Sequence, residues 1–249
     1  MAGVELVIRD RVAHVVLDRP PLNVVDLGMA GALAAVFDGL ARERALAAVV
    51  LEARGRAFSA GVDVRDHLPD RGAAMIRAFD RACLALFALE PPVVATVTGA
   101  ALGGGCELML ACDLVNAGEA ATFGFPEIAL GVFPPVAAYQ LSRQVPPRKG
   151  LELLLTGDPI DAATAEHLGL VNAIVRSEEE CEQWLQRLWK QSASSLRFAK
   201  KAFRMAQSED FDERLARVEK LYLEELMKTE DANEGLVAFL EKRKPVWKG

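Results

Sequence analysis

The sequence predicts an α/β fold with a largely parallel sheet, and three observations lead to this prediction. Short apolar, β-branched segments alternate with helical patterns over roughly the first half of the chain. Glycine-rich loops follow two of the buried segments, at residues 47–51 and 93–98. Helical patterns dominate beyond about residue 136. Strands that alternate with helices in this order favour right-handed βαβ units, in which successive strands run parallel.

The elements of the amino-terminal part follow from local patterns. Residues 4–8 and 12–17 flank a polar turn and predict a hairpin. Asp26 is placed to cap an alanine-rich helix that runs to about residue 41. Residues 47–51 predict a buried strand, residues 54–63 a glycine loop, residues 71–89 a helix and residues 93–98 a core strand. After a glycine turn with its own helix, residues 113–117 and 121–123 predict two short strands.

The carboxy-terminal part is predicted to be mainly helical. Only residues 171–175 have the pattern of a strand. The predicted helices are residues 137–144, 149–156, 162–168, 178–191, 195–207, 211–228 and 233–243. We therefore divide the chain into a core, residues 1–190, and a helical region, residues 191–249, that forms either a subdomain or an oligomerisation layer.

Composition and charge exclude several classes of function. The 249 residues are 51% hydrophobic, which is enough for a large core, and the net charge of −6 argues against a general nucleic-acid surface. Proline and glycine interrupt the longest uncharged stretch, residues 91–106, so no membrane span is predicted. The first residues lack the pattern of a signal peptide, and we expect a cytoplasmic protein. The four cysteines form no CxxC pair, so we expect reduced thiols and no metal site.

The segment Gly103-Gly104-Gly105-Cys106-Glu107 predicts a site that stabilises a developing negative charge. Its glycines let a ligand approach the backbone, and the helix that follows begins with unpaired N–H groups. If the strands before the two glycine loops are neighbours, the N–H groups of Val62 and Gly104 can converge on one oxygen. Glu107 lies one helical turn from Gly104, and Glu127 supplies a second carboxylate. Together these groups indicate proton transfer next to a carbonyl.

Less specific interpretations of the same residues stay open at this point. The glycines could be ordinary turn residues, and Glu107 and Glu127 could be solvated carboxylates, although their apolar neighbours would penalise an idle charge. The glycine turn lacks the Lys-Ser/Thr pair of a P-loop and the spacing of a dinucleotide fingerprint. The residues therefore suggest no nucleotide cofactor.

Several motifs resemble those of one known family. They are residues 58–63, 99–108, 111–113 and 123–131, with further likeness at residues 155–157 and near the carboxy terminus. With them the chain resembles the enoyl-CoA hydratase/isomerase, or crotonase, superfamily along nearly its whole length. The resemblance implies a ClpP/crotonase-like fold of repeated ββα units with a helical, carboxy-terminal trimerisation region. It also implies that the thioester oxygen of an acyl-CoA lies between the N–H groups of Val62 and Gly104.

The resemblance further implies a reaction. Hydratases of this superfamily keep both glutamates, at the positions of Glu107 and Glu127, whereas many isomerases, hydrolases and dehalogenases replace one or both. We therefore expect water to add to a double bond conjugated with the thioester, with Glu107 deprotonating the water and Glu127 exchanging the carbon-bound proton. Since CoA is part of the substrate, no separate cofactor is implied. The expected partners are an acyl-CoA and further copies of this chain, in a homotrimer or a dimer of trimers, without nucleic acid or membrane.

The segment after the second glutamate bears on the acyl group. Most hydratases of this type have a Pro-Gly-x-Gly-Gly-like stretch where this chain has Pro134-Pro135-Val136-Ala137-Ala138. This segment and residues 23–26 and 66–70 resemble cyclohexa-1,5-diene-1-carbonyl-CoA hydratases, which implies 1,4-addition of water to a cyclic dienoyl-CoA. The alternatives are a general trans-2-enoyl-CoA hydratase, an enoyl-CoA isomerase, and an RNA- or acyl-CoA-binding protein without activity.

Further residues are candidates for contact with the substrate. His67 follows the first loop closely enough to line a pocket, and Asp63 is expected to fix that loop by hydrogen bonds. Phe133 is a candidate wall for a ring. Phe239 and Lys242 match a position where the superfamily often contacts CoA from a neighbouring subunit. The full set of predicted substrate contacts is Ala60, Gly61, Asp63, His67, Gly103, Phe133, Phe239 and Lys242.

Overall fold

The computed structural model describes residues 3–67 and 71–207, with residues 224–225, 228–231, 234, 238, 241 and 243–248. The strands are β1 Val4–Arg9, β2 Val12–Leu17, β3 Ala48–Ala53, β4 Ala57–Ser59, β5 Val93–Val97, β6 Ala100–Leu102, β7 Leu114–Gly118, β8 Thr122–Gly124, β9 Ile160–Asp161 and β10 Ala173–Val175. The α-helices are α1 Leu27–Leu40, α2 Gly72–Phe87, α3 Gly104–Leu110, α4 Pro135–Gln144, α5 Pro147–Thr156, α6 Ala162–Leu168, α7 Glu178–Trp189 and α8 Ala193–Ala206. Two 3-10 helices span Val64–His67 and Pro126–Leu130.

The strands form two sheets that are built from a repeated unit. The larger sheet has the order β1-β2-β3-β5-β7-β10, and the smaller has the order β4-β6-β8-β9. Within the larger sheet only the β1–β2 pair is antiparallel. Each of the pairs β3–β4, β5–β6 and β7–β8 gives its first strand to the larger sheet and its second to the smaller, and a helix follows each pair. This arrangement confirms the predicted α/β fold of repeated ββα units.

The core lies where the helices cover the larger sheet. Val49 and Val93 on one face of β3 and β5, and Val50 and Val94 on the other, are fully buried, as expected for parallel strands covered on both faces. Helix α1 begins at the predicted cap, since the Asp26 carboxylate accepts a hydrogen bond from the Met29 N–H at 2.9 Å. Burial of its apolar side then fixes α1 against the sheet and α2. The core thereby holds the ends of β3 and β5, from which both glycine loops leave.

Parts of the predicted element map are wrong. Residues 54–63 were expected to form only a loop, but they contain β4, and the turn after residue 99 contains β6. Both strands have three residues, and their partners are distant in sequence, so no local periodicity marks them. The short strand β9 was missed for the same reason.

The ends of the chain are less completely described. Most of the helices predicted at residues 211–228 and 233–243 lie outside the described residues. The division at residue 190, and the assembly role of residues 191–249, stay predictions. In the part of the chain that the structure describes, no helix is both long and apolar enough to cross a bilayer.

Candidate active site

The glycine turn before α3 is packed too closely for side chains. Gly103 has φ 52°, and its N–H donates to the Gly124 carbonyl at 2.8 Å. A Cβ on Gly103 would overlap the Glu127 carboxylate. A Cβ on Gly104 would approach the Val62 side chain to 2.7 Å and the Phe79 ring to 3.1 Å. The glycines therefore let a carboxylate, an aliphatic side chain and an aromatic ring meet at the first turn of α3.

Val62 approaches this turn from the first loop. The Val25 N–H donates to the Gly61 carbonyl at 2.8 Å, and the Asp63 N–H donates to the Val25 carbonyl at 2.9 Å. The Gly61 carbonyl and the Val62 N–H belong to one trans peptide group and point in opposite directions, so the Val62 N–H points away from Val25. A Cβ on Gly61 would lie 3.3 Å from the Gly104 nitrogen. The two loops are thus in contact, as expected from the observed pairing of β3 with β5.

Two cavities meet at Val62. We name the first, of about 370 Å³, the glutamate cavity, and the second, of about 460 Å³, the loop cavity. The glutamate cavity is lined by Val62, His67, Gly72, Met75, Ile76, Phe79, Asp80, Glu107, Glu127, Gly131, Val132, Phe133, Pro134 and Pro135. The loop cavity is lined by Arg19, Pro20, Pro21, Leu22, Val24, Ala60, Val62, Asp63, Val64 and Arg65.

The predicted site residues therefore gather around the two cavities. His67, Glu107, Glu127 and Phe133 share the glutamate cavity with Val62. Ala60 and Asp63 line the loop cavity. Gly61, Gly103 and Gly104 lie in the packed turns between the loops. Phe239 and Lys242 lie outside the described residues. The functional role of each residue stays a prediction.

Glu107 projects from α3 into a poorly hydrated position. It is 3% exposed, and its Oε1 accepts a hydrogen bond from the Ala137 N–H at 3.0 Å. Burial raises the pKa of Glu107 from 4.5 to about 7; the Ala137 N–H opposes the rise and the charge of Glu127 adds to it. Both protonation states of this carboxyl are therefore accessible near neutral pH.

Glu127 lines the same cavity from the 3-10 helix Pro126–Leu130. Its Oε2 is buried without a hydrogen-bond partner among the described residues. Burial raises the pKa of Glu127, while its own backbone N–H and the nearby His67 oppose the rise. His67 ends the other 3-10 helix, and its Nδ1 lies 3.2 Å from the Asp63 carbonyl. The cavity thus holds two carboxyls whose pKa values are raised mainly by burial.

Asp63 is occupied within its own loop. Its carboxylate accepts hydrogen bonds from the Arg65 side chain and from the Arg65 backbone N–H at 3.0 Å. These contacts lower the pKa of Asp63 to about 2. Asp63 is therefore an ionised loop residue rather than a proton donor. Among the described residues, no group of three histidine, cysteine or acidic side chains is arranged to hold a metal ion.

Asp80 is a cavity residue that the sequence analysis missed. It lies on α2 and lines the glutamate cavity; its Oδ1 is buried without a partner among the described residues, and burial raises its pKa. A signal was present in the sequence. Ile76, Phe79, Asp80 and Cys83 follow the i, i+3, i+4, i+7 spacing of one helix face, so Asp80 is an acidic residue within an apolar stripe.

Comparisons with known proteins identify the family to which this fold belongs. The model of the enoyl-CoA hydratase/isomerase family matches residues 8–249. A cyclohexa-1,5-dienecarbonyl-CoA hydratase from Thauera aromatica is 39% identical over 93% of this chain and 90% of its own length. A probable enoyl-CoA hydratase, echA8, from Mycobacterium bovis is 36% identical over 96% of each chain. The crystal structure of an enoyl-CoA hydratase from Mycobacterium smegmatis matches with a TM-score of 0.93 and 30% identity over 99% of both chains. With its fold, its paired glycine loops and these matches, the chain belongs to the enoyl-CoA hydratase/isomerase family.

Proposed function

We propose that this protein is an enoyl-CoA hydratase that adds water to a carbon–carbon double bond conjugated with a CoA thioester. The observation that carries the proposal is the pair of buried carboxyls, Glu107 and Glu127, in one cavity beside Val62. Hydration needs one group to take a proton from water and another to deliver a proton to carbon. Glu107, with its pKa raised to about 7, is partly ionised near neutral pH, and burial also raises the pKa of Glu127, so the two carboxyls suit these tasks.

The thioester oxygen is proposed to bind between the Val62 and Gly104 N–H groups. Attack of water on the β-carbon moves electrons through the conjugated system and makes this oxygen negative. The Val62 N–H is directed away from Val25, and Gly104 is the first residue of α3, so its N–H lacks an intrahelical partner. Fixed donors at such a position typically contribute a factor on the order of 100 or more in rate.

Glu107 and Glu127 then divide the proton transfers. Glu107 accepts the proton of the attacking water, and Glu127 gives a proton to the α-carbon of a simple enoyl group or to the vinylogous carbon of a conjugated diene. The Ala137 N–H fixes one oxygen of Glu107, which leaves the other for water. His67 lines the same cavity and lowers the pKa of Glu127.

We further propose a cyclic dienoyl-CoA, cyclohexa-1,5-diene-1-carbonyl-CoA, as the substrate. The relative from Thauera aromatica supports this choice. So does the position of Pro134 and Pro135, which line the glutamate cavity beside Phe133 and form a rigid apolar wall suited to a ring. The CoA portion would occupy the loop cavity, where Arg19 and Arg65 can meet its phosphates.

A general trans-2-enoyl-CoA hydratase is the second candidate. It would use the same two carboxyls, and the probable enoyl-CoA hydratase from Mycobacterium bovis supports it. Met75, Ile76 and Phe79 provide apolar surface that a straight acyl chain could also occupy. The two candidates differ only in the acyl group, so a comparison of substrates separates them.

The test is hydration of cyclohexa-1,5-diene-1-carbonyl-CoA and crotonyl-CoA side by side, followed by product analysis. We expect higher kcat/KM for the cyclic diene, and at least about 100-fold lower kcat in Glu107→Gln and in Glu127→Gln. Glu119→Gln, at an exposed carboxylate outside both cavities, is the matched control and should retain full activity. Preference for crotonyl-CoA would support the general hydratase instead. Double-bond migration without hydration would favour an isomerase.

A further inference from the structure

The glutamate cavity has an unbalanced set of charges. Three acidic side chains line it: Asp80, Glu107 and Glu127. His67 is its one basic side chain, and the described residues that line it include neither lysine nor arginine. Met75, Ile76 and Phe79 add apolar surface around Asp80, and apolar surface does not screen a charge. A negatively charged group in this space would therefore meet three acids without a compensating strong cation.

The hydrogen-bonding capacity of the cavity is equally one-sided. One oxygen of Asp80 and one of Glu127 are buried without a partner among the described residues, while Glu107 uses Oε1 for the Ala137 N–H. An ionised carboxylate only accepts hydrogen bonds. A carboxylate on the acyl group would bring another acceptor to acceptors that are already unpaired. A hydroxyl group or water would instead supply the missing donor.

We propose that Asp80 makes the acyl-binding cavity select acyl groups that carry no negative charge. This inference rests on the proposed function, because it takes the glutamate cavity as the place where the acyl group binds. In this scheme Asp80 determines specificity and takes no part in proton transfer. It acts by raising the free energy of a bound anionic acyl group, which is discrimination by repulsion.

Unlike the two glutamates, Asp80 has no part in the proposed proton transfers. Glu107 and Glu127 are needed for hydration of any acyl group, so their charges cannot be adjusted to suit one substrate. Asp80 lies on a separate helix, α2, and its charge contributes to the raised pKa of Glu107. Asp80 can therefore set the electrostatic potential of the cavity without a part in the chemistry.

The test compares two saturated ligands that differ only at the far end of the acyl chain. Hexanoyl-CoA ends in a methyl group, and adipoyl-CoA has a carboxylate in its place. Calorimetric titration gives both dissociation constants without any need for turnover. We expect adipoyl-CoA to bind the wild-type protein at least about 100-fold more weakly, and Asp80→Asn to reduce this ratio by about tenfold, with hexanoyl-CoA affinity changed less than about threefold.

Two further variants complete the experiment. Asp158→Asn removes the same unit of charge at an exposed position outside the cavities and should leave the ratio at its wild-type value. Asp80→Ala removes the charge with a different shape and should shift the ratio as Asp80→Asn does. Equal binding of both ligands by the wild type, or an unchanged ratio in both Asp80 variants, would overturn the proposal. Failure of hexanoyl-CoA to bind would overturn the acyl site itself, whereas loss of hydration alone would count only against the proposed reaction.

Discussion

Glu107 is a carboxyl that must ionise where water cannot fully solvate its charge. Its pKa is raised from 4.5 to about 7, so the unfolded chain loses this proton at lower pH than the folded protein does. Below about pH 4.5 the group is protonated in both states and has no effect on stability. Between pH 4.5 and 7 the stability falls, and above pH 7 the loss is complete.

We therefore expect Glu107→Gln to be stabilising at high pH. From pH 5 to pH 8 the free energy of unfolding of the variant should gain about 2 to 3 kcal/mol relative to wild type, because glutamine stays neutral. The amide oxygen can still accept the Ala137 hydrogen bond. Urea unfolding at the two pH values measures the difference, with Glu119→Gln as the exposed control. Parallel stability profiles of wild type and Glu107→Gln would contradict the pKa shift.

Gly103 is the residue at which backbone conformation bears on the proposed catalytic carboxyl, Glu127. Gly103→Ala would place a methyl group against the Glu127 carboxylate at a φ of 52°. We expect kcat to fall at least about 100-fold, since a displacement of a catalytic group on the order of 1 Å can cost that much. Gly55→Ala is the matched control: it has φ 90° with open space around it, and should lower stability by about 1 kcal/mol with kcat unchanged. Equal kcat in both variants would exclude the steric explanation.

The sequence predicts those site residues that belong to contiguous motifs. Val62, Gly104, Glu107 and Glu127 each follow a glycine or lie one turn from one, and the structure brings them to neighbouring positions. Asp80 reaches the same cavity from α2, and in the sequence only its place within an apolar helix face marks it. Its location depends on how α2 packs, which is a tertiary property.

At the scale of elements, helix α8 is attached to the core by two cations that share one carboxylate. Lys200 Nζ lies 2.6 Å from one oxygen of Asp113, and Arg204 donates to the other at 2.7 Å. Lys200 also donates to two backbone carbonyls, and its side chain is only 9% exposed. Asp113 accepts the Val93 N–H at 2.7 Å, so this contact joins α8 to the start of β5.

We expect Asp113→Asn to lower the free energy of unfolding by about 3 kcal/mol. The substitution leaves Lys200 nearly buried without a countercharge, which is far more costly than loss of an exposed ion pair. Glu119→Gln serves as the control because Glu119 pairs with Arg176 on the surface, and its cost should stay below about 1 kcal/mol. Chemical denaturation measures both. If Asp113→Asn and Glu119→Gln lowered the free energy of unfolding by similar amounts, Lys200 would have to be solvated.

Sequence patterns predict the strands of the larger sheet better than those of the smaller sheet. The six strands of the larger sheet were predicted to within a few residues, and its inner strands, β2, β3, β5 and β7, have apolar runs because they are largely buried. The strands of the smaller sheet have two or three residues each. Of these only β8 was anticipated. Their existence depends on neighbours supplied by the following ββα unit, which periodicity does not encode.

At the scale of the molecule, exposed apolar side chains concentrate on neighbouring elements. The 3-10 helix Pro126–Leu130, the segment after it, α4 and α5 carry Ile128, Leu130, Val132, Phe133, Tyr139, Leu151 and Leu155, each at least 36% exposed. Clustered exposure of this kind marks surfaces that bind another protein. Phe133 also lines the glutamate cavity. A partner subunit that covers this surface would therefore reach the site.

We expect light scattering after size exclusion to give about three times the chain mass of 26.9 kDa, or twice that product. The double variant Leu151→Asp, Leu155→Asp should shift the protein toward the monomer, because it places charge on the exposed apolar surface of α5. Ile8→Asp, at an exposed position on β1, is the control and should keep the wild-type mass. A monomeric wild type would contradict the expected assembly.

The N–H groups of Val62 and Gly104 belong to the main chain, and this has a consequence for how the protein can change. Only substitution by proline deletes one of them, because every other residue carries an N–H. The walls of the glutamate cavity, by contrast, come from side chains of α2, of the 3-10 helix Pro126–Leu130 and of residues 132–135. Mutation can therefore rebuild the proposed acyl-binding walls one residue at a time while the proposed thioester contacts are inherited unchanged. The fold thus fixes the two main-chain donors, whereas the side chains that line the cavity can be substituted.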